Sequence, residues 1–318
     1  MLRFLLRRLA VAIPTLFLVI TATFFLMRAA PGGPFDNDRR LPPEIARAVA
    51  AKYGLDKPLL QQYGDYLISL AHGDLGPSLK YKDKTVLDIL ADNYRPSVIL
   101  GIVSLIIASV VGIGLGVIAA LRHNKMIDYA VMGVAILGVC IPSFVTAPLL
   151  SYLFASTLGW LPSGGWQETD IVLPFFDALP RPITVILPVI ARSLPQIAII
   201  SRLTRSGMIE VLSSNYIRTA RSKGLPTYRV VTRHALRAAI TPLVSYLGPA
   251  FAGVLTGSLV IEQVFALPGL GQWFVKSALQ RDYTVVMGMV ILYAALIIIL
   301  NLIADMAYAA LDPKVRLS

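Results

Sequence analysis

Few residues in this chain can do chemistry, and most of those sit where charge is costly. Arg192 lies nine residues into an apolar stretch that begins at Ile183, a depth of about 13 Å along a helix. A guanidinium there can line a path and attract a carboxylate. It can equally pair with an acid or a carbonyl, or reach to the surface. Glu262, with Gln263 and the turn 268–271, closes another apolar stretch. It reads as an outer gate or as a contact for an external partner. Asn301 and Asp305 are four apart and share a helix face. An interhelix hydrogen bond suits that pair better than a proton relay. His72, His123 and His234 are far apart, and Cys140 is the single cysteine. That excludes an intrachain disulfide and any cysteine metal cluster, so no metal is expected. No Ser/His/Asp or paired-carboxylate set falls at one depth, and no G-x-x-x-x-G-K-[ST] phosphate loop is present. The chain is not expected to be an enzyme or to hydrolyse ATP itself.

The richest polar segment is Ser214-Asn215-Tyr216-Ile217-Arg218-Thr219-Ala220-Arg221-Ser222-Lys223-Gly224. Its composition is helical and basic. Gly224 suits the left-handed position that ends a helix, and Pro226 suits the first turn of the next one. The segment therefore predicts helix, tight turn, helix: a rigid knob for a cytoplasmic partner. A basic loop lying against anionic lipid is the competing reading.

The elements that must position these residues are membrane helices. Of the 318 residues 56% are hydrophobic and 15% charged, and the mean hydropathy is +0.70. A soluble domain carries about 25% charge, so a disordered chain and an ordinary cytosolic enzyme are both disfavoured. A bilayer core takes about 20 apolar residues per helix. Six stretches qualify: 9–27, 97–121, 127–156, 183–203, 240–261 and 283–311. The first is read as a retained helix rather than a signal peptide, because its apolar run is long and no clear cleavage site follows. Gly112, Gly114 and Gly116 in the second suit close helix packing. Pro142 and Pro148 in the third predict a kink or break.

Charge sets the orientation. With both termini cytoplasmic, the inside segments 1–8, 122–126, 204–237 and 312–318 carry 14 Lys and Arg. The short outside loops carry Arg181, Lys276 and Arg281. The net charge of +11 is thus mostly a topology signal, and no nucleic-acid partner is expected. The organisation follows: an N-terminal transmembrane helix (1–27), a small extracytoplasmic loop domain (28–96), a five-helix core (97–311) with its cytoplasmic loop 204–237, and a cytoplasmic tail (312–318). In the loop domain, 43–51 and 58–70 read as short amphipathic helices, and 73–77 as a turn cluster.

The run Arg218-Thr219-Ala220-Arg221-Ser222-Lys223-Gly224 resembles the EAA loop of ABC-importer permeases, E-A-A-x-x-x-G, at Ala220 and Gly224. Arg218 and Thr219 depart from that pattern. They resemble instead the dipeptide/oligopeptide branch, which writes R-T-A-R-x-K-G-L, here continued by Leu225. The resemblance runs along nearly the whole chain: Gly54-Leu55-Asp56, Gly73-Asp74-Leu75-Gly76, Ile141-Pro142-Ser143-Phe144, Pro268-Gly269-Leu270-Gly271, Arg281-Asp282-Tyr283 and Leu311-Asp312-Pro313 all look like that branch. It implies an all-α polytopic membrane protein with six transmembrane helices, the type I ABC-importer permease fold. It implies a second permease subunit, two cytoplasmic ABC ATPases that bind the ATP, and an extracytoplasmic substrate-binding protein, in a bacterial or archaeal cytoplasmic membrane. Tyr216, Ile217, Arg218, Thr219, Ala220, Arg221, Lys223, Gly224 and Leu225 would form the ATPase-coupling loop. Arg192 and Glu262 are the candidates for path or gate. Peptides lead as substrate, since no histidine cluster favours nickel. Glutathione and glycosides are also carried by this branch. A proton-driven secondary transporter is the alternative of another class, weakened because Asp305 has no chain of acids beside it.

Overall fold

The computed structural model describes residues 2–29, 51, 53–169, 180–255 and 257–311. The expected helix at 43–51 falls outside them except for Ala51, as does the tail 312–318. Among the described residues every regular element is a helix. These are α1 (Leu2–Ala29), α2 (Leu59–Ala71), α3 (Val86–Leu121), α4 (Met126–Cys140), α5 (Ser143–Leu150), α6 (Pro182–Leu212), α7 (Asn215–Ser222), α8 (Thr227–Arg229), α9 (Leu236–Ala239), α10 (Thr241–Leu255), α11 (Leu259–Val264), α12 (Leu270–Leu279) and α13 (Tyr283–Leu311). Wider π-type turns carry α5 on through Ser151–Thr157 and join α8 to α9 through Val230–Ala235.

Hydropathy located the membrane segments, but capping sets their ends. The stretch expected at 97–121 is the apolar part of α3, which starts eleven positions earlier. Thr85 stops the chain there. Its Oγ1 accepts from Asp88 N at 3.1 Å, and its N–H donates to Asp88 Oδ2 at 2.9 Å, a reciprocal pair that satisfies two free helix donors. Likewise α6 runs nine residues past Leu203 to Leu212, so the first part of the 204–237 segment is helix.

Among the described residues, four helices are long and apolar enough to cross a membrane: Arg7–Ala29, Val86–Leu121, Pro182–Leu212 and Tyr283–Ile303. The third expected stretch is a bent helix pair, a fifth crossing if the pair counts as one span. Met126–Cys140 and Ser143–Thr157 meet at 105°. The break falls at Ile141-Pro142, where the residue before proline is pushed out of the helical region. The stretch expected at 240–261 is not one helix. It forms α10, a gap, and α11. The 15 residues of α10 reach about 22 Å, short of a ~30 Å hydrocarbon core.

α3 and α6 form the most extensive helix pair. Gly112 and Gly116 permit it. A Cβ at Gly112 would stand 2.8 Å from Ile200 Cγ2, and one at Gly116 would stand 2.6 Å from both Ser201 O and Thr204 Cβ. Gly114 faces away and meets nothing within 4 Å. α13 packs on α1 and α10. Among the described residues the buried core falls into four clusters, centred on Leu100 and Leu187, on Met208 and Ile217, on Ile89 and Val285, and on Ala108 and Ile200. α3 contributes to each of them, through Val86, Leu100, Ala108 and Ala120.

Candidate coupling knob and intramembrane cavity

The polar segment forms the knob that its composition predicts. In α7, Ile217 and Ala220 are buried, three positions apart. They pack with Met208 of α6 and Ala120 of α3, and with Val230, Val231 and Ala235 of the returning segment. The remaining candidates Tyr216, Arg218, Thr219, Arg221 and Lys223 are exposed. The end of α7 is a complete Schellman motif. Gly224 has φ +77°, its N–H donates to Arg221 O at 2.9 Å, and Leu225 N donates to Ala220 O at 3.4 Å. Leu225 folds back onto the Met208–Ile217 cluster, the apolar contact that accompanies this ending. Pro226 stands one position earlier than expected, as the extended residue just before α8. Two short helices on one small core thus present a face rich in arginine.

Sequence reasoning missed the strut behind the knob. Asp128, fully buried at the start of α4, accepts two hydrogen bonds from one edge of the Arg205 guanidinium, from Nε at 2.5 Å and from Nη2 at 2.7 Å. Asn124 N adds a third donor at 3.0 Å. This fork-to-fork pair ties the extended part of α6 to the α3–α4 turn. Asp128 stands three residues after Lys125 at a loop boundary, and nothing local marks its distant partner.

Arg192 and Glu262 meet around the gap between α10 and α11. A helix that stops leaves carbonyls unpaired on one side and N–H groups on the other. Here Arg192 Nη2 donates to Val254 O at 2.8 Å, placing a cation at the C-terminal end of α10 where the helix dipole favours one. Across the gap, Ser258 N donates to Glu262 Oε1 at 3.0 Å. Glu262 also accepts from Ser97 Oγ at 2.8 Å, Gly271 N at 2.7 Å and Gln272 N at 3.3 Å. The last two are free donors in the first turn of α12, so the carboxylate also caps that helix. Gly257, Gly269 and Gly271 make room for it: a Cβ on any of them would come within 2.9 Å of a Glu262 carboxylate oxygen. Gly101 of α3 does the same for Val254 O, at 2.5 Å. Glu262 is fully buried. The contact for an external partner expected of it has no exposed carboxylate to work with, because every local turn bends inward onto that group.

Beside this gap lies a cavity of about 450 Å³, lined by Arg192, Gln196, Tyr246, Ser143, Ser104 and Ser258 among others. Asn301 lies in α13, and its Oδ1 is buried without a partner. Asp305 is also in α13, but its side chain is outside the described residues, so the expected pairing is not placed. Among the described residues, no group of three or more His, Cys, Asp or Glu gathers as metal ligands do.

Asp282 is a second buried carboxylate that sequence reasoning had marked only by resemblance. It accepts from Ser78 Oγ at 2.5 Å, Leu79 N at 3.2 Å and Thr284 Oγ1 at 3.0 Å. It thereby pins the turn after α2 to the start of α13.

Known proteins similar to this chain are transport permeases. The family described as binding-protein-dependent transport system inner membrane component matches residues 112–317, and its N-terminal companion matches 1–96. The oligopeptide transport system permease protein OppB of Salmonella typhimurium is 54% identical over 316 residues, covering 99% of this chain and 100% of that protein. The dipeptide transport system permease protein DppB of Bacillus subtilis is 42% identical over 317 residues, covering 100% of this chain and 99% of that protein. Among solved structures, the MetNI methionine ABC transporter in inward facing conformations aligns with TM-score 0.51 and 17% identity, over 71% of this chain and 97% of that one. An amino acid ABC transporter aligns with TM-score 0.50 and 16% identity, over 72% and 94%. At those identities the two structures speak for the fold alone. Long apolar helices, the permease fold and a family match over most of the sequence converge: this chain belongs to the binding-protein-dependent transport system inner membrane component family and is a multi-pass permease subunit of the ABC-importer type.

Proposed function

We propose that this chain is one of the two permease subunits of an ATP-driven importer of oligopeptides. The observation that carries the substrate is the 54% identity to an oligopeptide permease along the whole length of both chains. A second, similar permease completes the pathway. Two ABC ATPases dock from the cytoplasm and bind the ATP, and an extracytoplasmic binding protein delivers the peptide. The α7 knob is the coupling element. Its exposed Arg218, Arg221 and Lys223 face one ATPase while Ile217 and Ala220 anchor it. Closure of the ATPases pushes the knob, and the helices alternate access between the two sides. Both termini lie in the cytoplasm.

Two experiments test this. Cells lacking their own peptide importers, given the full set of subunits, take up labelled tri- to pentapeptides. Uptake of a nickel complex or of glutathione instead would overturn the substrate. In the second, Arg218→Glu with Arg221→Glu keeps the exposed face folded and reverses its charge. Copurification of the ATPases is expected to fall about tenfold or more, the loss of one or two charge-assisted contacts. Full retention would place the docking surface elsewhere.

A further inference from the structure

We propose that the cavity beside the α10–α11 gap is a carboxylate subsite on the transport path, with Arg192 holding the charge. The inference rests on the peptide reading for what brings the carboxylate in.

Among the described residues, the Arg192 guanidinium has no acid in contact with it, and Arg192 is the one charged residue lining the cavity. A guanidinium has five N–H donors. Val254 O takes one of Arg192's, and its Nε is buried without a partner. The nearby acid does not neutralise it by contact. Glu262 directs its two oxygens at Ser97 Oγ and at the N–H groups of Ser258, Gly271 and Gln272. The cavity's neutral groups lean the same way. The Tyr246 hydroxyl donates to Gln196 Oε1, which leaves the Gln196 amide its N–H donors. A planar cation among donors selects a planar anion with two acceptor oxygens. The volume of about 450 Å³ is at the small end of ligand pockets, which run about 300–1,000 Å³. It fits one end of a peptide rather than its length, and the end that carries a carboxylate is the C-terminus.

The test uses the complete importer in proteoliposomes, with binding protein and ATPases. ATP-driven uptake of trialanine is compared with that of its C-terminal amide. Comparing genotypes removes any preference of the binding protein. Arg192→Gln is expected to lower uptake of the free acid about tenfold, the worth of one charge-assisted hydrogen bond, and to leave the amide within about twofold. Arg192→Lys is expected to restore part of the preference. If acid and amide fall together, Arg192 only ties down the end of α10 and the subsite is overturned. If wild type imports neither peptide, it is the peptide reading that fails. The subsite is then read on the unmodified importer with the photoprobe 4-benzoylbenzoate and its amide. Labelling of residues 246–258 by the acid alone supports the site, and equal labelling by both overturns it.

Discussion

Glu262 shows how many donors one buried carboxylate can gather. Ser97 Oγ and three backbone N–H groups converge on it, one at the start of α11 and two in the first turn of α12. Glu262→Gln keeps the shape and exchanges one acceptor oxygen for an NH₂. At least one pair of those N–H or O–H groups then faces a donor in an apolar interior. The expected cost is about 2 kcal/mol or more, seen as a lower melting temperature of the detergent-purified protein. An unchanged melting temperature would show that the staple carries little. The sequence marks Arg192 and Glu262 because charge inside an apolar stretch is costly. Their use is not legible there, since the partners are distant: Val254 stands 62 positions from Arg192, and Ser97 stands 165 from Glu262. Asp128 and Asp282 escaped for a related reason. Each sits at a loop boundary, where a carboxylate raises no alarm.

Helices were easier to find than their limits. Hydropathy reports which part of a helix is apolar, and it says nothing of where a cap starts the hydrogen-bond ladder. That is why α3 begins at Val86 and α6 ends at Leu212. The break at Pro142 was legible because proline removes a donor and restricts its neighbour. The gap after α10 was not, because the groups that stabilise it come from α3, α6 and α11. The glycine run in α3 was read as one packing surface, and the structure divides it. Gly116→Ala sets a Cβ against the backbone of Ser201 and is expected to cost about 1–3 kcal/mol. Gly114→Ala meets nothing within 4 Å and is expected to be neutral, or to stabilise by about 0.5–1 kcal/mol through helix propensity. Parallel denaturation of the two variants checks the pair. Equal losses would mean that α3 and α6 do not rely on close contact there.

For the molecule as a whole, the open quantity is direction across the membrane. In a Cys140→Ser background, Tyr228→Cys and Leu60→Cys replace two side chains that are each 76% exposed. With both termini cytoplasmic, an impermeant maleimide labels position 60 in intact cells and position 228 only in inverted vesicles. The reverse pattern would invert the topology. Such a distinction matters because of α3. From Ser97 at the Glu262 staple to Ala120 beside the α7 knob, one uninterrupted helix covers about 35 Å, and on the way it supplies Leu100, Ala108 and Ala120 to three of the buried clusters. A mechanism built on such a shaft has no backlash. In the importer proposed above, a shove delivered at the knob would meet no joint along α3 and would arrive at the staple as the same displacement. The two mouths of the pathway would then be geared together, and neither would keep its own time.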